Sequence, residues 1–104
     1  MPPPYQPIAR ASDIPRKQVR SFAIGVERVL IAHTPEGFFA VQDGCTHAET
    51  RLSHGRLKHC RIICPLHGAS FDVRDGSVLR GPATTPLRSY PLRIVDDTLE
   101  VDIA

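Results

Sequence analysis

Two short segments of this 104-residue chain carry the side chains best suited to chemistry: Cys45-Thr46-His47 and Cys64-Pro65-Leu66-His67. Each sets one thiol close to one imidazole, and sixteen residues lie between them. One helical face cannot supply such a set, so two loops must converge if the four groups share a site. Two thiolates and two imidazoles suit a tetrahedral zinc ion or an iron–sulfur cluster with mixed ligands. Zinc sites commonly draw a close Cys pair from a hairpin and a His pair from a helix. Here each loop offers one of each. A Cys–His nucleophile is the enzymatic alternative. Hydrolysis would also need an oxyanion site and an orienting third group, and no such constellation stands out.

Other reactive side chains have blander readings. Cys60 has no partner at ligand spacing and reads as a structural or partly exposed free thiol. His33, His54 and His59 read as surface histidines. Arg51, Arg56, Lys58, His59 and Arg61 form a loose basic cluster, read as solvated surface. No aromatic side chains interleave with these bases, which argues against nucleic acid.

The elements that must position the two loops read as short strands. Val19 to Ile24 and Val26 to Ala32 are rich in branched residues, and Thr34-Pro35-Glu36-Gly37 is a turn into Phe38–Val41. Leu92–Val95 and Leu99–Ile103 flank Asp96-Asp97, with Leu99, Val101 and Ile103 alternating against Glu100 and Asp102, a hairpin pattern. Ser70–Val73 and Ser77–Leu79 flank Arg74-Asp75-Gly76, a second hairpin signal. No window predicts a long helix. The segment from 43 to 82 holds all three cysteines and four of the five histidines, and reads as a loop-rich insert. A β-base of about residues 5–42 and 83–104 would carry it. Residues 1–7 are Pro-rich and are expected to lie extended or frayed.

Length allows one domain with a modest core. Net charge is only +2. No apolar run approaches the ~20 residues of a membrane span, and the N-terminus lacks a charged-then-apolar signal pattern. An odd cysteine count is a poor disulfide framework. These features predict a cytoplasmic protein with no membrane association.

The sequence resembles the Rieske ferredoxins that serve bacterial ring-hydroxylating dioxygenases. The resemblance rests on the paired motifs and on their neighbours: Val41-Gln42-Asp43, Ala48, Leu52-Ser53, Gly68-Ala69, Phe71-Asp72-Val73, Asp75-Gly76, Gly81-Pro82-Ala83, Pro86-Leu87 and Tyr90-Pro91. It implies an all-β fold, an antiparallel sandwich or barrel of three sheets with a small cluster-binding subdomain. It also implies one Rieske-type 2Fe–2S cluster, with Cys45 and Cys64 on one iron and His47 and His67 on the other. The histidines would lie near the surface, and the Gly81-Pro82 loop would cover one side. Gly68 would permit a tight turn behind its ligand.

By the same resemblance the chain is a one-electron carrier and not itself an enzyme. It would be a monomer that docks transiently, near His47 and His67, on a flavoprotein reductase and a terminal oxygenase. Pro65 and Leu66 would belong to a small apolar docking patch. A small Rieske subunit of a larger enzyme, such as an NADH-dependent nitrite reductase, is the second reading, and a structural zinc module the third. Thr50 and Leu66 stand where respiratory Rieske proteins carry a loop disulfide, so that bridge is expected to be absent. Ala69 and Phe71 replace hydroxyl donors to the cluster sulfurs. Fewer donors leave the more negative reduced state less stabilised, which sets the potential at the low end of the range, around −150 mV.

Overall fold

The run Val29-Leu30-Ile31-Ala32 has no side facing water: all four residues are fully buried. The reason lies in how the sheets stack. The computed structural model describes residues 4–104, and residues 1–3 lie outside the described residues. The chain forms β1 (Tyr5–Arg10), β2 (Val19–Ile24), β3 (Glu27–Thr34), β4 (Gly37–Gln42), β5 (Arg56–Lys58), β6 (Arg61–Ile63), β7 (Ser70–Asp72), β8 (Val78–Arg80), β9 (Ser89–Tyr90), β10 (Leu92–Val95) and β11 (Thr98–Asp102). The described residues contain no α-helix, only two single-turn 3-10 segments at Ala11–Asp13 and Leu52–His54.

Three antiparallel sheets result, ordered β1-β11-β10, β2-β3-β4-β9 and β5-β6-β7-β8. The four-stranded sheet holding β3 lies between two apolar cores. Side chains alternate along a strand, so Leu30, Ala32 and Val41 join Ile62 and Phe71 of the small sheet, and Val73 just past β7, in one core. Val29, Ile31 and Ala40 join Leu99 and Val101 in the other. That is why β3 reads as a continuous apolar run while β11, with one face buried, alternates.

Several element boundaries differ from the sequence reading. Val26 does not start a strand; it is fully exposed in the two-residue turn between Ile24 and Glu27. Gly25 occupies the first turn position at φ +60°, where glycine is at ease. Strand β3 therefore runs later, to Thr34. Residues 5–7 lie extended, as the start of β1, an edge strand that pairs with β11 alone among the described residues. Pro7 is tolerated there, beside a register shift between Pro7 and Ala9, because an edge position does not demand every N–H. The insert holds a full four-stranded sheet; β5 and β6 went unseen because Arg56-Leu57-Lys58 and Arg61-Ile62-Ile63 are short and charged. Two sheets make up the β-base, so that with the small sheet there are three, as the resemblance implies. The Asp96-Asp97 turn is as expected, both residues at positive φ between Val95 and Thr98.

Candidate metal centre

The two motif loops close in the same way. The Cys45 N–H donates to the Thr50 carbonyl at 3.0 Å, and the Cys64 N–H donates to the Ala69 carbonyl at 2.7 Å. Each bond spans five residues. The Cys45 sulfur then accepts the backbone N–H of His47, two residues further on, at 3.5 Å. Two unrelated stretches of sequence thus present Cys and His from equivalent turns.

Different anchors hold each loop. Asp43, fully buried, fixes the first. Its carboxylate accepts the Ser21 hydroxyl at 2.7 Å, the Ser53 hydroxyl at 2.9 Å and the Ser53 N–H at 2.7 Å. Its backbone N–H donates to the Arg28 carbonyl, and its carbonyl accepts the Leu52 N–H. Both ends of the first loop are therefore tied to β2 and β3 through one residue. In the second loop His67 and Gly68 are both left-handed, at φ +64° and +73°. Glycine adopts this freely, but a histidine there is uncommon and must be held by its surroundings. A third segment lies against the first loop: the Thr46 hydroxyl donates to the Thr85 carbonyl at 2.6 Å. Ala83 and Leu87 on either side of that contact are buried in the core.

The four side chains sort into an inner and an outer pair. Cys64 is buried and Cys45 half-buried, both against the core that contains Leu52 and Phe71. Burial pushes the Cys64 thiol up; the Leu66 N–H opposes this, while the neighbouring Cys45 adds to the rise. Such a thiol stays protonated near neutrality unless a metal takes the proton's place. The donor chemistry therefore fits a metal-bound thiolate pair. His47 and His67 are exposed. Their rings meet edge-on with centroids 5.4 Å apart, and Nε2 of His47 lies 3.3 Å from Nδ1 of His67.

The other singled-out residues fall elsewhere. His54 and His59 are exposed, as expected. His33 is not a surface histidine: it is half-buried, its Nδ1 lies 2.8 Å from the Ile14 carbonyl oxygen, and its ring stacks on Phe38 at 3.9 Å. It sits on β3 opposite Phe38, a cross-strand pair that the sequence pattern had not registered. Cys60 is buried. All three cysteines are free, and Leu66 is exposed. Sequence reasoning missed Asp43 as an anchor, with Ser21, Ser53 and Thr46. The lone signal was an acidic residue two positions before a candidate ligand, and its serine partners are ten and twenty-two residues away.

Comparison with known proteins points to one family. The Rieske [2Fe-2S] domain family matches residues 4–91. The ferredoxin component of biphenyl 2,3-dioxygenase from Rhodococcus jostii is 35% identical over 92% of this chain and 90% of its own length. The anthranilate 1,2-dioxygenase ferredoxin subunit of Burkholderia cepacia is 30% identical over 95% and 92%. Among solved structures, a chain from the complex of reduced oxygenase and oxidised ferredoxin in carbazole 1,9a-dioxygenase superposes with a TM-score of 0.87 at 29% identity, covering 92% of this chain and 99% of that one. With paired Cys and His loops on a three-sheet β fold, the chain belongs to the Rieske [2Fe–2S] family and is a ferredoxin of the aromatic-ring dioxygenase type, an electron-transfer component with one 2Fe–2S cluster.

Proposed function

We propose that Cys45 and Cys64 hold one iron of the cluster and His47 and His67 the other. The chain would take single electrons from an NAD(P)H-dependent flavoprotein reductase and pass them to a terminal aromatic-ring-hydroxylating oxygenase, as a monomeric shuttle in the cytoplasm. The observation that carries the ligand assignment is the layering of thiols inside and imidazoles outside, on two loops closed by equivalent hydrogen bonds. A single zinc ion would draw all four donors into one tetrahedron; a two-iron cluster separates a sulfur end from a nitrogen end. We assign the cluster-binding unit to about residues 43–82, carried on about 5–42 and 83–104.

When bound, the cluster supplies a one-electron couple. The protein's own part is to bury the cysteine end and expose the histidine end. The exposed rings of His47 and His67, with Pro65 and Leu66 alongside, form the surface through which a partner would reach the site. The reported complex of oxygenase with ferredoxin in a relative supports the acceptor side of this reading. No helix of the described residues is long and apolar enough to cross a membrane, and three free thiols suit a reducing compartment.

Purified protein should contain two irons and two inorganic sulfides and give a Rieske-like EPR signal when reduced. His47→Ala and His67→Ala should lose or cripple that signal, and Cys60→Ser should leave it unchanged. A cluster abolished by Cys60→Ser but retained in Cys45→Ser would refute the ligand assignment. With NAD(P)H and a reductase the protein should accelerate cytochrome c reduction; oxidation of an aromatic substrate by the isolated chain would overturn the carrier reading.

A further inference from the structure

A second group of metal-ligating side chains lies at the opposite end of the small sheet. Cys60 and His59 form the two-residue turn between β5 and β6, and Glu36 lies in the turn between β3 and β4. One ligand atom from each, the Cys60 sulfur, a His59 ring nitrogen and a Glu36 carboxylate oxygen, all lie within 4.8 Å of one another. Cys60 Sγ is 3.6 Å from Glu36 Oε2. Strand β6 separates Cys60 from Cys64, roughly 13 Å along an extended chain. This group is therefore distinct from the cluster loops.

We propose that Glu36, His59 and Cys60 form a binding site for a zinc-class divalent cation, with water as the fourth ligand. Thiolate, imidazole and carboxylate are all established zinc donors, and three protein ligands plus a water is a known arrangement. Zinc bonds of about 2.0–2.3 Å set tetrahedral ligand atoms roughly 3.5 Å apart. Closing from 4.8 Å needs side-chain rotation on two exposed residues, with the buried cysteine as the fixed point. The turn favours this: His59 is held at φ +58°, next to Cys60, on a two-residue hairpin. An open cavity of about 260 Å³, lined by Lys58, His59, Cys60, Arg61, Asp72 and Arg74, gives an ion a path to the sulfur.

Charge decides whether an ion would stay. Arg74 contacts both Glu36 oxygens, at 3.0 and 3.2 Å, and would have to yield. It would not be stranded, because it also binds Asp72 through three contacts of 2.8–3.2 Å. Lys58 and Arg61 oppose a cation in the same cavity. Against them, binding exchanges the Cys60 proton for the metal and releases that proton to water. Thiolate and carboxylate then carry two negative charges, which neutralise the ion. The bound metal would clamp the β3–β4 turn of the middle sheet to the β5–β6 turn of the small sheet.

The test uses holoprotein, zinc chloride and desalting, with zinc and iron measured together. Wild type should keep one zinc per two irons with its visible spectrum unchanged. Competition with a chromophoric chelator should show at least tenfold weaker binding in Cys60→Ser and in His59→Asn. Asparagine tolerates the left-handed conformation at position 59, and position 59 is exposed, so this variant keeps the test decisive if Cys60→Ser folds poorly. Three results would overturn the proposal: no zinc retained by wild type, equal retention in His59→Asn, or zinc gained only as iron is lost.

Discussion

At the residue scale, Ala69 and Phe71 offer the sharpest claim about redox tuning. Both are fully buried in the core shared with Cys64, and neither side chain can donate a hydrogen bond. Adding a hydroxyl should favour the reduced cluster, which is one charge more negative. A charge-assisted hydrogen bond is worth roughly 1.5–3 kcal/mol, but only its difference between redox states counts. A difference of about 1–2 kcal/mol corresponds to roughly 40–90 mV on the ~59 mV per tenfold scale. Ala69→Ser should therefore raise the midpoint potential by about that amount in protein-film voltammetry; an unchanged midpoint with the cluster intact would count against the account. Asp72 supports a second claim. Hydrogen bonds from Arg74 hold its carboxyl below the usual carboxylate range, with burial opposing and the Arg74 charge assisting. A pKa lowered on folding means that the folded state prefers the ionised form. The stabilisation is complete above the ordinary Asp value of about 3.9 and is lost as pH falls through the folded value. Urea melts followed by far-UV circular dichroism should show wild type ahead of Asp72→Asn by a constant margin from neutrality to about pH 5, and by a narrowing one below about pH 4. A margin independent of pH would mean that the charge does not matter.

At the scale of elements, the β5–β6 hairpin carries an avoidable conflict. Lys58 and Arg61 are directly opposite, both exposed, on either side of the His59-Cys60 turn. Like charges facing across two strands are destabilising, and opposite charges there stabilise by roughly 0.2–1 kcal/mol. Lys58→Glu should accordingly raise the unfolding free energy from urea melts by roughly 0.2–1 kcal/mol, and by less at high salt. This hairpin also marks where the sequence stopped being legible. The cluster loops could be read because Cys and His are rare and their spacing is distinctive. The hairpins at Asp96-Asp97 and Arg74-Asp75-Gly76 could be read because turn residues announce them. The β5–β6 pair has three residues per strand and charged flanks, so neither period nor turn chemistry marks it. His33 failed for a related reason: nothing local says that its ring will meet Phe38 and the Ile14 carbonyl. Asp43 stands two residues before the first motif's cysteine, but its role depends on Ser21 and Ser53, which only the folded chain brings to it.

For the whole molecule, the feature with the widest reach is the middle sheet, covered on both faces. Val29 and Ile31 serve one core, and Leu30 and Ala32 serve the other. Strand β11 serves a single core with Leu99 and Val101, while Glu100 and Asp102 stay at the rim. The two strands should therefore leave different imprints on a library containing every single substitution, selected for cluster-loaded protein. Polar residues at positions 29, 30, 31 and 32 would all be lost from the survivors, because each would sit unpaired in an apolar core at a cost of about 1–3 kcal/mol or more. Along positions 99–102 losses would alternate, with 99 and 101 depleted and 100 and 102 varied. A sequencing readout in which β3 also alternated would mean that one of its faces is open to water. The continuous band in β3 is the tolerance map of a chain whose cluster end and supporting end are inherited together, since no residue in the middle of that strand is free to drift for the sake of either one alone.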